Sequence, residues 1–210
     1  MAEVALVAWD VGGVLLSNGW DHDDRRAACA AFGVAPEEFE ARHAAQVDAF
    51  ERGRQSLAEY LTATLGPDGR PVDHARFRAF ILDRSRAHPE TLAIARELAA
   101  AGAVRQVTLN DESRELNDYR IARFGLAALF DAFFSSCYTG LRKPAPEAFD
   151  CLLGVLHRAG PEVVFVDDRA ENVAAAAARG LRAIQYTAAT DLRRAFAALG
   201  VTAHSRSEGS

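Results

Sequence analysis

The sequence predicts a three-layer α/β protein, in which helices cover both faces of a parallel β-sheet and an all-helical insertion follows the first strand. Two observations support this prediction. After residue 88, short apolar runs alternate with single helix-like segments, and strands joined by single helices form parallel sheets through right-handed crossovers. Between residues 21 and 86, Ala-rich segments studded with charges follow one another without a strand-like run.

The first predicted strand is the apolar run 4–9, which ends at Asp10 and is followed by Gly12 and Gly13. A nearly continuous apolar run is typical of a strand that is buried on both faces. The two glycines allow the backbone to turn sharply and to approach a ligand closely.

The insertion is predicted to contain four helices, which are separated by glycines at positions 33, 53 and 66. These helices cover residues 21–32, 36–51, 56–65 and 72–86. The later predicted helices cover 89–101, 112–124, 146–157, 170–179 and 192–199. The later predicted strands cover 104–109, 132–137, 162–166 and 182–186. We therefore expect a discontinuous core of residues 1–16 and 87–203, an insertion over 17–86, and a disordered polar tail over 204–210.

Composition and charge narrow the class of protein. The chain has 210 residues, of which half are hydrophobic and a quarter are charged, and its formal net charge is −5. This charge gives no electrostatic reason to expect nucleic acid or an anionic membrane as a partner. Cys29, Cys137 and Cys151 are odd in number and lack CxxC spacing, which favours buried thiols in a reducing compartment. With no signal-peptide pattern, we expect a cytoplasmic protein.

Charged and polar side chains follow four of the predicted strands. Asp10, Asn110 and the pair Asp167 and Asp168 stand directly at strand ends, and Lys143 begins the loop after the strand at 132–137. Since the carboxyl ends of parallel strands meet at one edge of the sheet, these residues are expected to converge there. A nucleophilic carboxylate, a cation for an anion and two metal-binding carboxylates indicate phosphoryl transfer.

These segments resemble the motifs of the haloacid dehalogenase superfamily, specifically its phosphatase-like branch with a small helical cap. The matching segments are WDVGGVL (9–15), TLNDES (108–113), GLRKP (140–144) and FVDDRAENV (165–173). SRELNDYR and DAFFSSCYTGLRKP are similar to a subgroup related to bacterial sugar-phosphate phosphatases. The resemblance covers essentially the whole chain and implies a Rossmann-like core with an inserted cap.

The resemblance also implies roles for individual residues, with Asp10 as the nucleophile and with Lys143 and Asn110 as further catalytic residues. The implied phosphate-binding residues are Asn110, Asp111, Lys143 and Gly13. The implied Mg²⁺ ligands are Asp10, the main-chain carbonyl of Gly12, Asp167 and Asp168, and Asn172 is implied to orient the acidic loop.

Two positions depart from the family pattern. Gly12 stands where active phosphatases of the family commonly carry a second Asp as the general acid and base, and Leu109 replaces a Ser or Thr. Losing general acid–base help typically costs about 10²–10⁴-fold in rate. Residues of the cap are candidates to face the substrate and to replace the missing acid, among them Trp20, His22 and Glu51.

Simpler roles compete with two of these assignments. Asp168 precedes a predicted helix and could cap its amino terminus. Asn110 could start an Asx turn.

Three functions remain in competition. The first is a Mg²⁺-dependent phosphatase for a small phosphate monoester, a sugar phosphate or a nucleotide, which acts through an aspartyl-phosphate intermediate. The second is a metal-independent 2-haloacid dehalogenase, although the resemblance implies that such enzymes lack the acidic pair. The third is a non-catalytic binding or regulatory protein, which Gly12 and Leu109 favour. The oligomeric state stays open.

Overall fold

The five strands form one parallel sheet. A computed structural model describes residues 2–65, 72–102 and 104–202. The strands are β1 Leu6–Trp9, β2 Arg105–Asn110, β3 Ala132–Ser135, β4 Val163–Asp167 and β5 Arg182–Gln185. Their order in the sheet is β3-β2-β1-β4-β5. Strand β1 is therefore central, and it pairs in parallel with β2 on one side and β4 on the other.

The helices fall into two groups along the chain. The first group follows β1 and contains α1 His22–Phe32, α2 Pro36–Glu51, α3 Leu57–Leu65 and α4 His74–Asp83. The second group alternates with the later strands and contains α5 Pro89–Ala101, α6 Arg114–Phe124, α7 Ser136–Thr139, α8 Pro146–Leu156, α9 Ala170–Ala178 and α10 Ala189–Ala198.

Each face of the sheet carries its own hydrophobic core, because successive side chains of a strand point to opposite faces. Val7 and Trp9 pack in a cluster that includes Phe196 of α10. Leu6 and Ala8 pack in another, together with Phe149 of α8. Two helical layers around one sheet confirm the predicted three-layer α/β class.

Helices α1–α4 enclose a third core, which includes Phe39, Tyr60 and Phe77. The chain enters and leaves this group of helices by two segments that run side by side. The amide of Ser17 donates to the carbonyl of Arg86 at 2.8 Å, and the amide of His88 donates to the carbonyl of Leu15 at 2.9 Å. The segment that leads into helices α1–α4 and the segment that leads out of them therefore lie at the same edge of the sheet.

Several predicted boundaries were wrong by a few residues. The strand predicted over 132–137 ends at Ser135, and residues 136–139 form the short helix α7. The apolar pattern did not separate the two because buried residues, Phe134 and Cys137, lie on both sides of the boundary. The last helix begins at Ala189 rather than at 192. The prediction missed its first three residues because they are small or polar and carry no apolar signal. Helix α6 begins at Arg114, after Ser113, rather than at 112.

Some predictions fall outside the described residues. These are the tail over 204–210, the last residue of the core at 203, and the Gly-Pro turn at 66–67. Across 2–65, 72–102 and 104–202, no helix combines the length and the apolar character that crossing a bilayer requires.

Helix α8 offers a matched test of the core. Leu152 is fully buried against the sheet, whereas Val155 on the same helix is 62% exposed. We expect Leu152→Ala to lower the free energy of unfolding by about 2–5 kcal/mol, because it leaves a cavity. Val155→Ala should change it by less than about 0.5 kcal/mol. Urea denaturation measures both values, and equal losses would contradict the described packing.

Candidate active site at the carboxyl edge of the sheet

Lys143 links the ends of two adjacent strands. Asp10 follows β1 and Asp167 ends β4, and the two strands are paired up to Trp9 and Val166. The Nζ atom of Lys143 lies 3.0 Å from Oδ1 of Asp10 and 2.6 Å from Oδ2 of Asp167. All three side chains are buried. The predicted convergence of residues from distant segments is therefore present in the structure.

Burial sets the electrostatics of this group. It raises the pKa of Asp10 to about 7; Lys143 opposes this shift and Asp167 adds to it. Burial also disfavours the charged form of Lys143, but the carboxylates of Asp10 and Asp167 outweigh this effect and raise its pKa above the ordinary value. The ammonium group is thus charged at neutral pH. Its single positive charge does not balance the negative charges of the carboxylates around it.

The two oxygens of Asp10 differ in their surroundings. Oδ1 accepts a hydrogen bond from the amide of Val11 at 2.7 Å and faces Lys143. Within the described part of the chain, Oδ2 has no hydrogen-bond partner. One oxygen of this carboxylate is held in place, and the other is available for chemistry or for a cation.

Three carboxylates could hold a metal ion. One oxygen from each of Asp10, Asp167 and Asp168 lies within 4.8 Å of the others. Oδ1 of Asp168 is buried and has no hydrogen-bond partner. An unpaired buried acceptor is costly unless a cation or donor compensates it. The Lys143 ammonium group contacts Asp10 and Asp167 and leaves Oδ1 of Asp168 without a partner. The three acids therefore fit a divalent cation with oxygen ligands.

The structure does not support helix capping by Asp168. Helix α9 has Arg169 at its N-cap position, and no side chain caps it. Asp167 has the local contacts instead. Its Oδ1 accepts from the amide of Arg169 at 2.9 Å, and the side-chain amide of Asn172 donates to its two oxygens at 3.1 and 3.0 Å. Asn172 thus lies where it fixes the orientation of the Asp167 carboxylate.

The glycines after Asp10 keep the first loop close to the acidic group. Gly13 has a φ of +76°, and a Cβ atom there would lie 2.3 Å from Oδ2 of Asp168. At Gly12 a Cβ atom would lie 3.3 Å from Oδ1 of Asn18. A side chain at position 13 would displace the Asp168 carboxylate, whereas one at position 12 would crowd Asn18.

The side chain of Asn110 is committed to contacts inside the protein. Its Nδ2 donates to Oδ1 of Asn117 at 3.0 Å, and its Oδ1 accepts from the hydroxyl of Ser135 at 2.9 Å. The next residue, Asp111, accepts from the amide of Lys143 at 3.2 Å. The second and third motifs are thus tied together directly.

A polar cavity of about 250 Å³ lies between helices α1–α2 and this edge of the sheet. Trp20, His22 and Glu51 line it, as do Asp111 and Arg169 from the sheet side. All three candidate cap residues therefore face the same space. Among them, Trp20 also donates from its indole nitrogen to the hydroxyl of Tyr60 at 3.0 Å.

Glu51 ends helix α2 at the contact with the sheet domain. Its Oε2 lies 2.5 Å from a guanidinium nitrogen of Arg142, and its carbonyl accepts from the hydroxyl of Ser136 at 2.6 Å. Burial raises the pKa of Glu51 to about 7; Arg142 opposes the shift, and Glu112 and Asp111 add to it. A carboxyl group that retains a proton near neutral pH therefore faces the cavity.

The sequence did not indicate the role of Arg120, which is 2% exposed. It forms an ion pair with Glu112 at 3.0 Å and donates to the hydroxyl of Ser85 at 3.0 Å. It also donates to the carbonyls of Ser17 and Asn18 at 3.0 and 2.8 Å. Both connections to the helical group are thus joined to the loop after β2. The available signal was its helical spacing from the buried Leu116 on α6.

Comparisons with known proteins identify the family and the fold. Residues 4–180 match the family model of the haloacid dehalogenase-like hydrolases. A sesquiterpene phosphatase from Aspergillus oryzae is 41% identical over 59 residues, which are 28% of this chain and 30% of that phosphatase. The alignment therefore spans less than a third of that relative's length.

Solved structures share the fold at low sequence identity. A HAD family enzyme from Bacteroides thetaiotaomicron is 18% identical with a TM-score of 0.80, and the match covers 93% of this chain and 99% of that one. Another structure of that enzyme, in complex with magnesium and inorganic phosphate, has a TM-score of 0.72 at 17% identity over 88% of this chain and 95% of that one. L-2-haloacid dehalogenase from Xanthobacter autotrophicus is 20% identical with a TM-score of 0.62 over 95% of this chain and 84% of that one.

The close approach of Gly13 to Asp168 gives a test of the first loop. We expect Gly13→Ala to displace the Asp168 carboxylate, in addition to the cost of about 1–2 kcal/mol for a side chain at positive φ. Gly125→Ala is the matched control, because Gly125 also has a positive φ, +64°, with no atom within 4 Å of an added Cβ. Urea denaturation should show the larger loss for Gly13→Ala, and an equal loss would contradict the described contact.

Proposed function

Because the chain belongs to the haloacid dehalogenase-like hydrolases, we propose that it is a Mg²⁺-dependent phosphatase that hydrolyses a small phosphate monoester, a sugar phosphate or a nucleotide. One observation carries this proposal. Lys143 holds Asp10 beside Asp167, with its Nζ 3.0 and 2.6 Å from their oxygens, and Asp168 completes a group of three acids that could hold a metal ion. The complex of the Bacteroides enzyme with magnesium and phosphate supports the choice of ligands.

In the proposed reaction, a carboxylate oxygen of Asp10 attacks phosphorus and the bond from phosphorus to the alcohol oxygen breaks. Water then attacks the resulting aspartyl phosphate, which releases phosphate and restores the carboxylate. Lys143 stabilises the negative charge that develops on the phosphoryl oxygens. The hydrogen bond from the Val11 amide keeps Oδ1 of Asp10 fixed during both steps.

The proposed Mg²⁺ ligands are Asp10, Asp167, Asp168 and the carbonyl of Gly12. When bound, the ion supplies positive charge to the phosphoryl group and positions it for attack. Asn172 orients Asp167 through its two hydrogen bonds. The proposed phosphate contacts come from the main-chain amides of Asn110 and Asp111, from Lys143 and from Gly13.

Helices α1–α4 are proposed to act as a cap, with residues 17–86 as the cap domain and residues 1–16 and 87–203 as the core. The cavity between the two parts would receive the alcohol part of the substrate, and closure would exclude water from the reaction. Trp20, His22 and Glu51 would then face the substrate from the cap.

The missing acid at position 12 is proposed to be replaced by Glu51. Gly12 has no proton to give to the departing alcohol oxygen. Glu51 carries a carboxyl group into the same cavity, and its burial favours the protonated form near neutral pH. Its contact with Arg142 fixes the side chain at the boundary between cap and core.

Substitution of the nucleophile tests the proposed function. Asp10→Asn should lower the turnover of 4-nitrophenyl phosphate with Mg²⁺ by at least about 10³-fold, because the amide oxygen is a poor nucleophile. A chelator should stop the wild-type reaction, and added Mg²⁺ should restore it. Circular dichroism should show an unchanged fold. Equal activity of the two proteins would refute the proposal.

The same assay separates the two alternatives. The dehalogenase neighbour in the structure comparison favours testing halide displacement. Chloride release from 2-chloropropionate in the presence of a chelator would support a dehalogenase and contradict the proposal. Thermal stabilisation by one phosphate ester, without hydrolysis of any member of a broad panel, would support a binding protein.

Glu51→Gln tests the proposed acid. For glycerol 1-phosphate, whose alcohol is a poor leaving group, we expect kcat to fall by about 10²–10⁴-fold. For 4-nitrophenyl phosphate it should change little, since nitrophenolate leaves without a proton. The wild-type rate with glycerol 1-phosphate should fall as pH rises above about 7, where Glu51 loses its proton. That fall should be absent in the variant.

Glu38→Gln is the control for this experiment, because Glu38 lies on the same helix with a side chain that is 65% exposed. It should leave both rates unchanged. If Glu51→Gln slows both substrates equally, Glu51 acts through structure and not through proton transfer.

A further inference from the structure

His43 lies on the same face of helix α2 as Glu51. The sequence did not identify it as a candidate site residue. Helix α2 places positions 43, 50 and 51 on one side, since residues seven or eight apart lie on the same face. All three line the polar cavity. His43 is therefore positioned beside the space proposed for the alcohol part of the substrate.

A chain of hydrogen bonds fixes the proton of the imidazole ring. The indole Nε1 of Trp20 can only donate, so the Tyr60 oxygen, 3.0 Å away, accepts from it. Within the described residues the Tyr60 hydroxyl has no acceptor other than Nδ1 of His43, which lies 2.8 Å from the same oxygen, so we assign the hydroxyl proton to this contact. Because Nδ1 accepts this bond, the ring carries its proton on Nε2.

The surroundings of His43 keep the ring neutral. Burial lowers its pKa to about 4; Arg25 adds to the shift and Glu40 partly offsets it. Arg25 is itself held by Glu40 through bonds of 2.7 and 3.0 Å, and His22 lies 3.6 Å from Glu40. Burial also raises the pKa of Tyr60, so its hydroxyl keeps the proton that it donates.

Nε2 of His43 has no hydrogen-bond partner within the described part of the chain. We propose that this Nε2–H group determines specificity by donating a hydrogen bond to an oxygen on the alcohol part of the substrate. The inference rests on the proposed phosphatase function and refines it. The Nε2–H donor of His43 favours phosphate esters of polyhydroxylated alcohols over phosphate esters of hydrocarbon alcohols. A hydrocarbon group would leave this donor without a partner.

The experiment compares two substrates that differ only in their hydroxyl groups, myo-inositol 1-phosphate and cyclohexyl phosphate, with 4-nitrophenyl phosphate as the reference. An unpaired donor costs about 1–3 kcal/mol, so the wild type should prefer the inositol ester by about 10–100-fold in kcat/KM. His43→Asn should remove this preference, because its short amide can still accept from Tyr60 but does not reach the position of Nε2.

Two further variants act as controls. His43→Gln should retain most of the preference, since its amide nitrogen reaches about as far as Nε2. Glu38→Gln, on the exposed side of the same helix, should behave as the wild type. With 4-nitrophenyl phosphate, Glu38→Gln should keep the wild-type kcat/KM, and the two His43 variants should lose far less of it than His43→Asn loses with the inositol ester. A parallel loss with this substrate would assign His43 a structural role and overturn the proposal.

Nitrogen NMR of the His43 ring gives a readout that does not depend on turnover. We expect a protonated Nε2 and an unprotonated Nδ1 that do not change near neutral pH. The opposite tautomer, a ring that titrates there, or equal wild-type use of the inositol and cyclohexyl esters would each overturn the inference. Absence of wild-type activity on 4-nitrophenyl phosphate would instead refute the proposed function, and the NMR result would still decide the direction of the donor.

Discussion

The rest of the site depends on the contacts of the Lys143 ammonium group with two buried carboxylates. This ammonium group lies between Asp10 and Asp167, which end two strands that are neighbours in the sheet. Burying a carboxylate without a partner costs several kcal/mol, so these acids could not sit at the sheet edge without this cation. Two further contacts position acids of the same group: Asn172 donates two hydrogen bonds to Asp167, and Gly13 leaves room for the carboxylate of Asp168.

Much of the fold was predictable because parallel strands are buried on both faces. The run that became β4, Val163–Asp167, is apolar until its last residue, and this pattern identifies a central strand. Helix starts were clear where Pro36, Pro89 and Pro146 fix the first turn. The short helix α7 was missed because two consecutive buried serines and a cysteine carry no periodic signal that separates it from a strand.

The candidate site was predictable only for residues that follow strands directly. Asp10, Asp167 and Asp168 converge because the topology brings strand ends to one edge. Arg120 was not predictable, since its partners belong to connections about 35 and 100 residues away in sequence. The proton position on His43 was equally inaccessible, because a tyrosine on another helix determines it.

The central position of β1 determines when the residues around Asp10 can come together during synthesis. Strand β1 leaves the ribosome before both of its neighbours in the sheet, which come from residues 105–110 and 163–167. Until the second of these has emerged, one edge of β1 is open, and Asp10 and Lys143 lack Asp167 and Asp168. The acidic group is therefore completed late in translation, and a nascent chain that stops before β4 contains Asp10 and Lys143 without Asp167 and Asp168.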